Sequence, residues 1–171
     1  TRKLTKDFVS LWEAPNLLLQ KTPADKFKAT TKIRFAAKAD GQYGGVIMMG
    51  RSYSALVVKR SSENEFQLVR LTCGRADKGN RETSSVIATF KPTAKDVKPY
   101  QPAIYLDIYL RLSIDNGKCS FSYSTDGKTY KKAGDTFTMM EGKWKFGYVA
   151  EEPAAKTNSG WIDADWIRIE K

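Results

Sequence analysis

The chain has 171 residues, 41% of them hydrophobic and 28% charged, which is typical of one globular domain or one large β-sandwich. The absence of histidine excludes a Ser-His-Asp triad, a Cys-His dyad and every imidazole zinc site, and no apolar run approaches the about 20 residues that cross a bilayer. The net charge of +10 suggests a nucleic-acid or acidic-polymer binder, but the basic residues are scattered, so we favour a solvated basic surface with no nucleic-acid or membrane partner.

Residues 1–25 form a predicted N-terminal arm. Two prolines, Pro15 and Pro23, break any helix here, so we expect short extended pieces. The arm is rich in apolar residues between Phe8 and Leu19, which predicts that it packs down over the edge of the fold. Because the chain begins Thr-Arg rather than with Met, we interpret it as a processed piece whose arm leads from a missing upstream domain.

Alternating or continuous apolar runs predict strands at regular spacing along the next part of the chain. They lie at residues 27–35, 45–49, 55–60, 65–73 and 84–90, and two more follow at 143–150 and 161–170. Residues 51–54 read as a turn, and residues 91–102, with three prolines, read as a long connection. The segment 151–160 reads as a polar loop.

The clearest pattern runs from residue 104 to residue 133. Six apolar residues alternate with polar or aromatic ones from Ile104 to Ile114, which is the period of a strand with one buried face. Asn116-Gly117 and Asp126-Gly127 are hairpin signals, so three strands form a predicted meander. The absence of long helical patterns predicts a single all-β domain over residues 1–171, a two-sheet antiparallel β-sandwich of the jelly-roll type with the 104–114 strand central.

Four outward residues of that strand are a candidate binding site: Tyr105, Asp107, Tyr109 and Arg111. Sugars stack on aromatic rings and accept hydrogen bonds from planar polar groups, and this stripe offers both. The alternative is that the arm or a partner domain covers these side chains.

Two aspartates of the last predicted strand are a weaker candidate. Asp163 and Asp165 share a face and lie about 7 Å apart along a strand, so they are compatible with a calcium site or a catalytic pair. We favour structural hydrogen bonds to neighbouring loops. Core packing is the default for Trp144, Trp161 and Trp166, and Cys119 reads as a small core hydrophobe. Whether Cys73 and Cys119 pair stays open.

Four stretches in the same order resemble one family. They are PNLLLQKTPADKFKATTKI (15–33), YGGVIMMGRSYSALVVKR (43–60), LRLSIDNGKCSFSYSTDGKTY (110–130) and GWIDADWIRIEK (160–171). They resemble the C-terminal concanavalin A-like, laminin-G-like domain of glycoside hydrolase family 43 β-xylosidase/arabinofuranosidase-type enzymes.

The resemblance implies a jelly roll that follows a five-bladed catalytic β-propeller in a periplasmic or extracellular bacterial enzyme acting on xylan or arabinan. The propeller is missing from this sequence, so the resemblance implies a non-catalytic accessory module. Its partners would be the upstream catalytic domain of the same polypeptide and plant polysaccharide, with no cofactor besides the candidate calcium ion. An independent lectin-like carbohydrate-binding domain and a stand-alone jelly-roll glycosidase or lyase remain the alternatives.

Overall fold

The computed structural model describes residues 9–14, 16–98, 101–140, 144–151 and 160–171. Phe8, Pro15 and most of the predicted polar loop lie outside these ranges. The first strands are β1 Leu17–Lys21, β2 Lys26–Ala37, β3 Tyr43–Met49, β4 Tyr53–Ser62, β5 Glu65–Cys73, β6 Thr83–Phe90 and β7 Ala94–Lys98. The others are β8 Gln101–Asp115, β9 Lys118–Ser124, β10 Lys131–Lys132, β11 Phe137–Thr138, β12 Lys145–Glu151 and β13 Trp161–Glu170.

The strands form two antiparallel sheets. The first sheet has the order β1-β12-β3-β4-β5-β6. The second has the order β10-β9-β8-β2-β13, with β11 paired to β9 and β7 paired to the beginning of β8. The predicted central strand is indeed the middle strand of the second sheet, and the predicted two-sheet antiparallel sandwich is confirmed. Across the described ranges, no helix has the length and apolarity needed to span a bilayer.

The sandwich core lies between the two sheets. On β8, the predicted alternation places every second side chain in this core. Its inward residues from Ile104 to Ile114 are all buried, while the residues between them face away from the core. Aromatic pairs join the sheets across this space: Phe35 and Phe66 have ring centroids 5.9 Å apart, and Phe27 and Phe146 have centroids 5.2 Å apart. Apolar faces of two sheets that interdigitate in this way are what hold a β-sandwich together.

Three predicted boundaries were wrong. The turn at 51–54 is shorter than expected, because β4 already begins at Tyr53. The predicted long connection contains β7, which forms a hairpin with the beginning of β8. Pro102 pairs with Val97 in this hairpin, which lies at an edge where a missing backbone N–H is tolerated. The third strand of the meander is only the two residues of β10.

The described part of the arm packs on the first sheet. A 3-10 helix, Leu11–Glu13, precedes β1, and Leu11 is fully buried in a second apolar cluster on the face of the first sheet that points away from the core. The Leu11 N–H donates to the Tyr53 hydroxyl at 2.7 Å, and that hydroxyl donates to Glu82 at 2.6 Å. β1 then adds the edge strand beside β12.

The two cysteines are free and lie in different places. Cys119 is fully buried in the sandwich core, as predicted for a small hydrophobe. Cys73 belongs to the apolar cluster on the opposite face of the first sheet. The two thiols are therefore separate structural residues.

Arg70 is a buried cation that sequence reasoning missed. It points from β5 into the sandwich core and is 6% exposed. Its guanidinium donates to the Ser54 hydroxyl and to the backbone oxygen of Ala133, and it lies 4.2 Å from the ring centroid of Phe121. Because Ser54 and Arg70 belong to the first sheet and Phe121 to the second, this side chain joins the two sheets.

Glu151 supplies a stability prediction with a defined pH window. Its side chain is 1% exposed; Oε2 accepts from the Asn16 amide at 3.2 Å, while Oε1 has no hydrogen-bond partner in the described part of the chain. Burial raises the pKa of Glu151 to about 7. A raised carboxyl pKa gives stability that is complete below the unfolded value and is lost as pH rises through about 7.

We therefore expect Glu151→Gln to raise the melting temperature at pH 8 and to leave it nearly unchanged at pH 5. The glutamine mimics the protonated acid and keeps an oxygen for Asn16, so it removes a cost of about 1–3 kcal/mol at pH 8. Thermal unfolding across pH 5–9 measures this difference, with Glu65→Gln on β5 as the matched control. A variant whose advantage does not grow between pH 5 and pH 8 would contradict the assignment.

Candidate functional site

The outer face of the second sheet, which points away from the sandwich core, carries all four residues of the predicted site. Register places these four β8 residues beside β2 and places β2 beside β13, so their side chains form rows across the sheet. The rows contain Trp161, Ala36 and Tyr105; Asp163, Arg34 and Asp107; Trp166, Lys32 and Tyr109; and Arg168, Thr30 and Arg111. Each of the four predicted residues is partly exposed.

Asp107 and Tyr105 are both engaged by Arg34 of β2. The Arg34 guanidinium donates to both Asp107 carboxylate oxygens at 2.8 Å, and its central carbon lies 4.1 Å from the Tyr105 ring centroid. The hydrogen bonds from Arg34 lower the pKa of Asp107. A bidentate pair of this kind fixes both side chains, so the part of the outer face around Tyr105 and Asp107 is rigid.

Tyr109 lies between an aromatic neighbour and a loop. Its ring centroid is 6.3 Å from that of Trp166, and a Cβ at Gly127 would lie 2.9 Å from the Tyr109 ring. The loop is held by Asp126, which accepts from the Ser124 hydroxyl at 2.7 Å and from the backbone N–H groups of residues 128 and 129. These hydrogen bonds lower the pKa of Asp126 to about 2. The glycine and its Asp-anchored loop therefore set the position of the tyrosine.

Arg111 completes the site in the same manner. Its Nε donates to the Thr30 hydroxyl at 2.9 Å, and its guanidinium lies 3.5 Å from the ring centroid of Tyr130. Planar guanidinium groups that are already stacked and hydrogen-bonded lose little further freedom when a ligand or protein covers them. The outer face thus presents preorganised rings and cations to a sugar chain or to a second protein surface.

The two aspartates of β13 lie on the same outer face but are engaged within the protein. Asp165 accepts from Lys32 at 2.7 Å, and Asp163 accepts from the Trp161 indole at 3.1 Å. Within the described ranges, no group of three Asp, Glu, Cys or His side chains converges as a metal site. Calcium binding at this pair stays a prediction, and a melting temperature that rises with CaCl2 over EDTA is its direct test.

Core packing was the wrong default for Trp166. It is 37% exposed on the outer face, beside Tyr109. Trp161 is also partly exposed on this face, in the row of Tyr105. The register shifts between Ala164 and Trp166, so Asp165 bulges out and Ile167, rather than Trp166, points inward opposite Thr31. The sequence did carry a signal of this bulge, since the apolar alternation changes phase from Ile162 and Ala164 to Ile167 and Ile169. Trp144 does pack against the edge of the core, 6.1 Å from Phe137.

Arg34 and Lys32 were the other residues missed at this site. Both alternate with the apolar residues of the predicted strand 27–35, so that pattern already directs them away from the core. The pairing of that strand with β8 would have placed them beside Asp107 and Tyr109, but strand order is not readable from the alternation alone.

Comparison with known proteins places this sandwich in a family. The family model for the beta xylosidase C-terminal concanavalin A-like domain matches residues 3–170. A β-xylosidase of Formosa agariphila is 38% identical over 64 residues, which are 36% of this chain and 10% of that protein.

Two solved structures share the fold. A bifunctional GH43-CE protein of Bacteroides eggerthii has a TM-score of 0.72 at 20% identity over 99% of this chain and 20% of its own. The xylan beta-1,4-xylosidase from Bacillus halodurans C-125 has a TM-score of 0.64 at 14% identity over 91% of this chain and 29% of its own. This chain therefore spans less than a third of the length of each of these relatives. With the family model covering nearly every residue, the chain belongs to the C-terminal concanavalin A-like domains of glycoside hydrolase family 43 β-xylosidases.

Proposed function

We propose that this chain is a non-catalytic accessory module of a periplasmic or extracellular plant-polysaccharide glycoside hydrolase. It docks on the catalytic β-propeller of the same polypeptide and lends surface to the rim of the active site. The observation that carries the proposal is the outer face of the second sheet, where rings and guanidinium groups are fixed in place but partly exposed. The small share of its relatives that this chain matches supports a role beside a larger catalytic part.

The composition of the outer face favours docking. Tyr, Trp and Arg are the residue types enriched in protein interfaces, and Tyr109, Trp166 and Arg111 meet here. An interface between domains of one chain typically buries about 600–1,500 Å² and is more polar than a permanent one. A face that mixes rings with the ion pairs Arg34–Asp107 and Lys32–Asp165 fits that description, because charges that are already paired cost less to cover than lone ones.

Docking is testable with separate domains. We expect this chain to bind the isolated catalytic domain, and Tyr109→Ala combined with Arg111→Ala to weaken that binding by about tenfold or more. Leu18→Ala is the control, because Leu18 is an exposed apolar residue on the first sheet, 74% exposed. Loss of binding in the Leu18 variant with none in the paired variant would move the interface to the other sheet and contradict the proposal.

The lack of activity in the isolated chain is part of the proposal. The sequence suggested one pair of carboxylates, Asp163 and Asp165, on the exposed strand β13. In the structure, Asp163 accepts from Trp161 and Asp165 accepts from Lys32 of β2. We expect no turnover of aryl xylosides, aryl arabinosides, xylan or arabinan. Turnover that disappears in Asp163→Asn or Asp165→Asn would overturn this expectation and favour a stand-alone glycosidase.

Independent carbohydrate binding is the second candidate function. The exposed Trp166 ring beside Tyr109 favours it, since sugars stack on such faces. Titration of the isolated chain with soluble xylan and arabinan separates the two functions. Binding that Trp166→Ala removes, without any affinity for the catalytic domain, would favour the lectin-like alternative.

A further inference from the structure

A cleft of about 640 Å³ lies at the lower end of the second sheet, where β2 and β9 begin and β8 and β13 end. Along β8, its first lining residue, Ser113, lies two residues beyond Arg111, the last residue of the predicted site. Its charged lining consists of two carboxylates, Asp115 and Glu170, and four lysines, which are Lys26, Lys28, Lys118 and Lys171.

Strand register brings these lysines together. Lys26 lies opposite Asp115 on β8, and Asp115 lies opposite Lys118 on β9, so one carboxylate separates two lysines in the same row. The next row places Lys28 between Glu170 and Ser113. The sheet itself therefore builds a positively charged surface from residues that are far apart in the sequence.

The positive charge of the cleft is only partly neutralised within the protein. Lys26 and Asp115 form a loose pair at 3.4 Å with both side chains largely exposed. In the part of the chain that the structure describes, no carboxylate lies within 4 Å of the Lys28 or Lys118 ammonium group. A concave surface with an excess of one charge concentrates ligands of the opposite charge.

The lining also offers groups that suit a sugar. Ser113, Ser120 and Thr136 contribute hydroxyls between the lysines. Along the strands, Arg111 and Arg168 continue the positive face towards the Trp166 and Tyr109 rings, about 13 Å from the Ser113 row at about 3.3 Å per residue.

We infer that this cleft binds the anionic groups of an acidic polysaccharide, either uronate carboxylates or sulfate esters. The lysines neutralise the charge and the hydroxyls hydrogen-bond the sugar. This site goes beyond the proposed docking role and does not depend on it, because the lysines lie at the other end of the sheet from Tyr105 and Arg34. A duplex nucleic acid would need only the charge, so it serves as a competing outcome in the test.

The test uses isothermal titration of the isolated chain at low ionic strength. One arm compares glucuronoxylan with the same polymer after reduction of its carboxyl groups, and a second compares dextran sulfate with dextran. We expect binding only to the anionic member of at least one pair, and we expect the affinity to fall with added salt. Equal affinity for charged and uncharged polymers, or no binding to either, would refute the inference.

Matched variants locate the site. Lys28→Gln/Lys118→Gln should weaken binding about tenfold, equivalent to about 1.4 kcal/mol. Lys21→Gln/Lys145→Gln removes an exposed lysine pair that faces across β1 and β12 of the first sheet, and should leave the affinity unchanged. Equal losses in both double variants, or duplex DNA bound as tightly as the glycan, would show unspecific charge attraction and overturn the inference. These variants leave Tyr109 and Arg111 intact, so failure here is distinguishable from failure of docking.

Discussion

Replacing Ile108 with Asp is expected to abolish folding of the domain. Ile108 is fully buried in the core, opposite Ile33 in the middle of the second sheet. The change removes buried apolar contacts and places an unpaired charge in the core, together about 5–10 kcal/mol. A domain of this size is typically stable by about 5–15 kcal/mol, so little or no native protein should remain.

Circular dichroism and urea unfolding measure this effect. Ile108→Val should stay folded and lose about 1 kcal/mol, since it deletes a single methyl group. Ser122→Asp on the adjacent strand β9 is the control for charge alone, because Ser122 is on the outer face opposite Arg111. Cooperative melting of Ile108→Asp at the unchanged temperature would show that β8 is not the central core strand.

Truncating Arg70 should have the second largest effect. Arg70→Ala leaves a cavity between the sheets and removes the donor to the Ala133 carbonyl, so we expect a loss of about 3–5 kcal/mol. Burial lowers the pKa of the Arg70 guanidinium, as expected for a cation that is shielded from water. We therefore expect its packing and hydrogen bonds, together with its contact with the Phe121 ring, to outweigh the cost of burying the charge.

Arg70→Met separates these contributions. Methionine fills most of the volume without the buried charge, so this variant should lose less than half of what the alanine variant loses. Urea unfolding of both variants gives the two free energies. Equal losses would mean that the hydrogen bonds to Ser54 and Ala133, and not the packing, hold the sheets together here.

The fold was largely predictable because the strong alternations are on strands with one buried face. The inward series from Ile104 to Ile114 and the positive φ of Asn116 and Gly117 follow directly from side-chain period and turn chemistry. β7 was missed because its neighbouring prolines suggest a loop, although a hairpin at a sheet edge tolerates them. Arg70 was missed because a cation inside an apolar strand gives no sign of partners that are distant in the sequence.

The candidate site was predictable only along one strand. Tyr105, Asp107, Tyr109 and Arg111 share a face by period alone, but their partners come from strands whose order is set in three dimensions. Arg34 and Tyr130 join them through strand pairing and a loop, and Trp166 joins them through a bulge. The lysine cleft was missed for the same reason. Its lysines are scattered along the sequence and come together only where the ends of several strands meet.

The most direct test of the accessory role removes this domain from the full-length enzyme that carries it. We expect the truncated enzyme to melt at a lower temperature and to turn over short and polymeric substrates with a lower kcat or a higher KM. Loss of the docking face exposes the propeller, and loss of a wall at the rim leaves the sugar less well positioned. An unchanged melting temperature together with unchanged kcat and KM on both kinds of substrate would contradict docking.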